Sequence, residues 1–192
     1  MNKVCFLCLE PSKLKCSKCL TIQYCSKECQ KKDWKVHKKN CKDNNCDEGI
    51  QELANKANSY YEQGNYAKAE KVTLKLLNLF RSEYGKNHPS TITAMVNLAG
   101  SYTEQKKIKE AEILYKECLE KRKLILGENH LNTLNTMFHL ADSYNKQGKY
   151  SDAEILYKEC LEKRILLLGE NHPDTLAIKS IIAYICNKED KS

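Results

Sequence analysis

Seven cysteines and one histidine crowd the first 41 positions of this 192-residue chain: Cys5, Cys8, Cys16, Cys19, Cys25, Cys29, His37 and Cys41. The gaps between them are 2, 7, 2, 5, 3, 7 and 3 residues. Thiolate sulfur and imidazole nitrogen are the donors that zinc favours, and eight of them in four close pairs suit two tetrahedral ions. Two donors close in sequence reach one ion from a short turn, so each ion needs a second pair from elsewhere in the segment. With every position filled by protein, none is left for a reacting water, and the metal is expected to be structural. The segment also needs such a device. Its apolar residues, chiefly Val4, Phe6, Leu7, Leu14, Leu20, Ile22, Tyr24, Trp34 and Val36, make a small core. Domains of this size rely on metal or disulfides, and structural zinc contributes roughly 10–16 kcal/mol in finger peptides.

Composition separates these options. No run of about 18 apolar residues suggests a membrane span. The opening MNKVCFLCLEPSK has no apolar stretch long enough for an export signal. An intracellular location, cytoplasmic or nuclear, is therefore expected, where thiols stay reduced and eleven cysteines favour metal over disulfides. The net charge of +7 is uneven: residues 1–42 carry 11 Lys against 3 acids, and residues 43–192 carry 21 Lys or Arg against 22 acids. The basic segment invites a nucleic-acid or transcription-associated reading, with lysines at 31, 32, 35, 38 and 39 near the last ligands. Seven thiolates on two zinc ions offset part of that charge, and no base-reading helix pattern accompanies it. Nucleic acid is thus the lesser reading.

The rest of the chain is repetitive. AEILYKECLEKR occurs at 111–122 and again, unchanged, at 153–164, and a divergent copy, AEKVTLKLLNLF, at 69–80. The flanks GKNHPSTIT, GENHLNTLN and GENHPDTLA start at Gly85, Gly127 and Gly169, so the period is 42. Self-similarity at a fixed period marks stacked supersecondary units. Each unit reads as two helices. Met95, Leu98, Ala99 and Tyr102 share one helical face, and Ile108, Ala111, Leu114, Tyr115, Cys118 and Leu119 share another. A break at Gln105–Lys107 lies between them, with Gly64 and Gly148 in the equivalent breaks. Small residues recur where helices would approach most closely: Ala57, Ala99, Ala141 and Ala183, then Ala69, Ala111 and Ala153. Cys118 and Cys160 occupy equivalent small positions and read as packing residues. His88, His130 and His172 recur after Asn, a whole unit apart, which predicts turn or capping roles rather than metal.

Two resemblances follow from these residues. The repeat resembles the tetratricopeptide repeat, on Leu98, Ala99 and Tyr102 in the first helix and Ala111, Tyr115 and Cys118 in the second. Its 42-residue period and Asn-His-Pro turn are similar to the kinesin-light-chain variant. The N-terminal segment resembles the MYND zinc finger, with Tyr24-Cys25-Ser26, Cys29-Gln30, Asp33-Trp34 and His37-Lys38 around a complete ligand set. The latter resemblance implies interleaved ligation, with Cys5, Cys8, Cys25 and Cys29 on one zinc and Cys16, Cys19, His37 and Cys41 on the other.

Together they imply a mostly α fold: a small zinc-stabilised finger followed by an α-solenoid of about 3.5 helix-turn-helix repeats. The expected domains are a finger at 1–42, a linker at 43–48, repeats at 49–187 and a tail at 188–192. Within the repeats the units are 49–84, 88–126 and 130–168, with a capping helix at 173–187. The resemblance further implies protein or peptide partners. Ser17, Gln30 and Trp34 would recognise short, proline-containing peptides, an aromatic platform being suited to extended proline segments. Asn55, Asn58, Asn97, His139, Asp142 and Asn145 would line a peptide groove on the repeats. Some methyltransferases carry this finger within a larger catalytic domain, but residues 43–192 show no cofactor loop or nucleophile constellation. A non-enzymatic interaction adaptor is therefore the expected function.

Overall fold

The computed structural model describes Leu14–Lys15, Gln23–Tyr24, Lys31 and residues 48–189. Two short strands, β1 (Leu14–Lys15) and β2 (Gln23–Tyr24), pair antiparallel with Leu14 opposite Tyr24 and Lys15 opposite Gln23. Seven helices are described from residue 48 onward: α1 (Glu48–Glu62), α2 (Tyr66–Tyr84), α3 (Pro89–Glu104), α4 (Ile108–Leu126), α5 (Leu131–Lys146), α6 (Tyr150–Leu168) and α7 (Pro173–Glu189). The chain divides into two compact units, Met1–Ser101 and Tyr102–Ser192.

In the first unit α1 packs on α2. The core is built from Ala69, Val72, Leu76, Leu77 and Phe80 of α2 and from Ile92, Met95, Leu98 and Ala99 of α3. In the second unit α4 packs on α5, α5 on α6 and α6 on α7. Tyr115, Cys118 and Leu119 on α4, Leu134, Met137 and Ala141 on α5, and Tyr157 and Cys160 on α6 are all buried. Cys118 and Cys160 are fully enclosed, as packing residues should be.

The sequence places the helix starts through one recurring device. The backbone N–H groups of Ser90, Asn132 and Asp174 donate to Nδ1 of His88, His130 and His172, at 3.2, 3.1 and 3.2 Å. Each imidazole thus serves one of the donors that a helix N-terminus leaves without an intrahelical acceptor. Thr91 and Thr133 add a second tie, donating from Oγ1 to the carbonyls of Gly85 and Gly127 at 2.8 Å. The equivalent Thr175 hydroxyl is buried and has no partner among the described residues.

One small-residue expectation is corrected. Ala57, Ala99 and Ala141 are buried, but Ala183 on α7 is exposed. Ala141 lies on a helix that packs against both α4 and α6, whereas α7 packs chiefly against α6.

Candidate binding surfaces

The helices deliver the groove candidates to solvent in different ways. Asn55 and Asn58 are exposed on α1, where Gln51 Nε2 donates to Asn55 Oδ1 at 3.0 Å. Asn97 is exposed on α3. On α5, His139, Asp142 and Asn145 fall three residues apart, so one face carries all three. His139 is solvent-exposed along one side, while its ring stacks on Tyr115 at a centroid distance of 5.5 Å and meets Phe138 edge-on at 5.6 Å. That packing lowers its pKa below the ordinary histidine range. Arg122, Arg164 and Lys146 act in the same direction, and Asp142 opposes them. The ring is therefore neutral near pH 7 and can both donate and accept a hydrogen bond. Asp142 is half-buried and pairs with Lys146 at 2.9 Å.

Beneath this face lie two arginines that a surface reading of the sequence overlooks. Arg122 and Arg164 are each only 5% exposed. Arg122 Nη1 donates to the Asn132 carbonyl at 2.7 Å and to Thr136 Oγ1 at 2.8 Å, and burial pushes its pKa down to about 10. Arg164 pairs with Asp174 at 2.8 Å and also donates to Asn135 Oδ1. The position one period earlier is Phe80, also buried. A Phe in the first copy, where the two later copies carry Arg, was the available sign that a long side chain is enclosed there.

A second polar cluster sits at the α4–α5 edge. Glu112, 9% exposed, accepts from Lys116 at 2.6 Å, from Gln147 Nε2 at 2.6 Å and from Lys149 at 3.0 Å. Lys116 and Lys149 also approach the Tyr144 ring, at 5.3 and 5.2 Å from its centroid. Burial would raise the Glu112 pKa, but the three donors outweigh it and hold the carboxyl at about 2. These groups are saturated with internal partners, so they brace the scaffold rather than await a ligand.

Among the described residues, no group of three or more His, Cys, Asp or Glu side chains is placed to hold a metal ion. The eight candidate zinc ligands, and Ser17, Gln30 and Trp34, lie outside the described residues. What is described near them is the β1–β2 pairing, which fixes the chain on both sides of residues 16–22 and ends next to Cys25 in sequence. No helix among the described residues is long and apolar enough to cross a membrane.

Comparison with known proteins places both parts. Residues 50–123 and 94–165 match the tetratricopeptide repeat, and residues 5–41 match the MYND finger, a zinc-binding domain. A stretch of 28 residues is 61% identical to SET domain-containing protein 14 of Caenorhabditis elegans, covering 15% of this chain and 6% of that protein. A solved structure from Podosopora anserina, described as a kinesin light chain with nearly identical TPR-like repeats, superposes with a TM-score of 0.66 at 20% identity. That match covers 71% of this chain and 64% of the other. BtubC (BKLC) from P. vanneervenii gives a TM-score of 0.63 at 19% identity, over 73% of this chain and 55% of the other. The chain thus spans under two thirds of these structural relatives and a small part of the curated one. At such identities the structural likeness establishes the fold.

Proposed function

The chain belongs to the tetratricopeptide repeat family and carries a MYND finger, and from this pairing we propose that it works as a non-enzymatic adaptor joining two protein ligands. Both modules mediate protein interactions in their families. The observation that carries the repeat half is the α5 face, where His139, Asp142 and Asn145 stand together, exposed or half-buried. Neutral imidazole, carboxylate and amide at that spacing offer donors and acceptors to the backbone of an extended peptide. Asn55, Asn58 and Asn97 would serve the same purpose on α1 and α3.

In the finger, the donor set fits two structural zinc ions. Cys5, Cys8, Cys25 and Cys29 would hold one, and Cys16, Cys19, His37 and Cys41 the other. The zinc supplies folding energy and an ordered surface, not a reacting water. Ser17, Gln30 and Trp34 would form that surface and take short proline-containing peptides.

Two measurements test the proposal. Zinc released on thiol modification should reach two ions per chain, and chelation should remove finger structure while the helical signal of the repeats persists. A sample with no stoichiometric zinc and an intact N-terminal fold would reject the ligand assignment. Peptide titration at low and high salt should then show binding that tolerates salt, is lost in Trp34→Ala and leaves zinc content unchanged. Binding that instead falls steeply with salt, and extends to a nucleic-acid pool, would favour phosphate recognition over peptide recognition.

A further inference from the structure

The starts of α3, α5 and α7 share one unusual acceptor. At each, the N–H of the second helical residue donates to Nδ1 of the histidine before the helix: Ser90 to His88, Asn132 to His130 and Asp174 to His172, at 3.2, 3.1 and 3.2 Å. A backbone N–H only donates, so Nδ1 of each ring carries no hydrogen and the single ring proton sits on Nε2. The usual helix cap is a side-chain oxygen, and α2 starts that way, with Asn65 Oδ1 accepting from Lys68 N–H at 3.3 Å. An amide keeps its acceptor at any pH. Histidine is the side chain whose charge ordinarily changes near neutrality.

Protonation would undo the cap in two ways. An imidazolium has hydrogen on both nitrogens and accepts nothing. Its charge would also stand at the positive end of a helix dipole.

The surroundings grade the effect. His88 is 6% exposed, and Tyr84 of α2 stacks on its ring at 4.7 Å, with Arg81 and Glu83 in the same last turn of α2 and Lys86 in the loop. His130 is half-buried. Arg122 of α4 reaches the Asn132 carbonyl in the same turn, Lys123 ends α4, and Glu128 in the loop is engaged by Lys163 of α6 at 3.4 Å. His172 is half-buried between two acids, Glu170, which pairs with Lys179 at 3.9 Å, and Asp174, which pairs with Arg164 of α6 at 2.8 Å. A new positive charge is thus least welcome at the enclosed His88 and best tolerated at His172.

We propose that the three histidines make the repeats acid-sensitive: as pH falls through the histidine range, α3, α5 and α7 lose their caps and loosen from their first turns. At each site the unfolded chain then binds a proton that the capped fold excludes, so stability is complete above that range and is lost below it. The device acts on the helices that carry Asn97, His139, Asp142 and Asn145, and it stands whether or not those residues bind a peptide.

Asparagine caps without titrating, so His88→Asn, His130→Asn and His172→Asn, singly and combined in the full chain, test this. Denaturant unfolding of the repeats should be followed from about pH 7.5 to about pH 5.5. The folding constant of the wild type should fall with acid more than that of the triple variant, by about fivefold for each cap lost. The finger ligands and His139 are the same in both chains, so their titration cancels from the difference. His88→Asn should remove most of the excess and His172→Asn least. Amide exchange at the first turns of α3, α5 and α7, corrected for its intrinsic pH dependence, should accelerate with acid in the wild type and not in the triple variant. Equal pH dependence of the folding constant in the two chains overturns the proposal. So does exchange at those first turns that acid leaves unchanged in the wild type. If the triple variant fails to fold, the single variants decide by the same comparison.

Discussion

Residues 111–122 and 153–164 have the same sequence, AEILYKECLEKR, yet they meet different surroundings. The inward positions behave alike: Ala111 and Ala153, Cys118 and Cys160 are all fully buried, and Arg122 and Arg164 are each 5% exposed. The polar ends diverge. Glu112 gathers Lys116, Gln147 and Lys149, whereas Glu154 has Lys158 at 2.7 Å and the Cys186 thiol at 3.4 Å. Arg122 is served by a carbonyl and a hydroxyl, Arg164 by an amide and the Asp174 carboxylate. Tyr115 stacks on His139, while Tyr157 meets Phe138 edge-on at 5.6 Å. In a repeat the local sequence sets which face is buried. The next helix along sets what each polar group finds there.

The sharpest way to break this comparison is to remove the same charge from both copies. Glu112→Gln should destabilise the protein by about 2 kcal/mol at pH 7, a discounted value for a carboxyl held near 2 instead of 4.5. The folded-state pKa is depressed, so the contribution is complete above the unfolded value and fades as pH falls from about 4.5 toward about 2. The gap between wild type and Glu112→Gln should therefore close below pH 4.5. Glu154→Gln should shift the unfolding midpoint by less, since Lys158 and Cys186 lower its pKa from a more open position. Equal shifts for the two variants would mean that the shared sequence, not the neighbouring helix, sets the energetics.

This contrast also explains what the sequence could reveal. The 42-residue period exposed the repeat phase, and the small-residue rule identified Cys118 and Cys160 as packing residues, because both depend on local spacing. The Glu112 cluster was invisible, since Gln147 and Lys149 stand 35 and 37 residues away. Arg122 and Arg164 were hidden by the ordinary preference of arginine for the surface, which fails when a carbonyl and a hydroxyl, or an amide and a carboxylate, wait inside. Ala183 was misassigned because periodicity locates a face without showing what covers it. The finger presents the opposite case. Its zinc-binding character was legible from the close pairs of soft donors, and residues 5–41 match the MYND finger.

A smaller effect sharpens the comparison at the turns that lead into the two copies. Gly148 precedes α6 with φ 75°, and Gly64 precedes α2 with φ 71°. The equivalent residue before α4 is Lys106, with φ 65°. All three turns close with the same bond, from Asn65, Lys107 and Lys149 N–H to the carbonyls of Tyr60, Tyr102 and Tyr144, at 2.8, 2.9 and 3.0 Å. The left-handed conformation costs a side-chain-bearing residue roughly 1–2 kcal/mol, partly offset by the greater chain entropy that glycine loses on folding. Lys106→Gly should therefore stabilise the protein by about 1 kcal/mol, read as a higher unfolding midpoint. A lower midpoint would show that the lysine side chain contributes more than its backbone strain costs.

The smallest expected effect lies at the aromatic position the two copies share. Tyr157 is 0% exposed, and its hydroxyl has no hydrogen-bond partner among the described residues. The Asn145 amide acts on it without completing a bond of good geometry. Burial, with the Asp142 charge behind it, raises the phenol pKa well above its usual value, so the group stays neutral at any pH the fold tolerates. Deleting a buried hydroxyl that lacks a partner removes a desolvation penalty and leaves the ring packing on Phe138 intact. Tyr157→Phe should thus change stability by no more than about 0.5 kcal/mol, with any change in the stabilising direction. A loss of about 1 kcal/mol or more would mean that the hydroxyl is satisfied in solution, with Asn145 as the first residue to substitute in a double-mutant cycle. Because Asn145 also belongs to the proposed peptide face, repeating that cycle with a peptide bound would show whether the ligand draws the amide away from Tyr157.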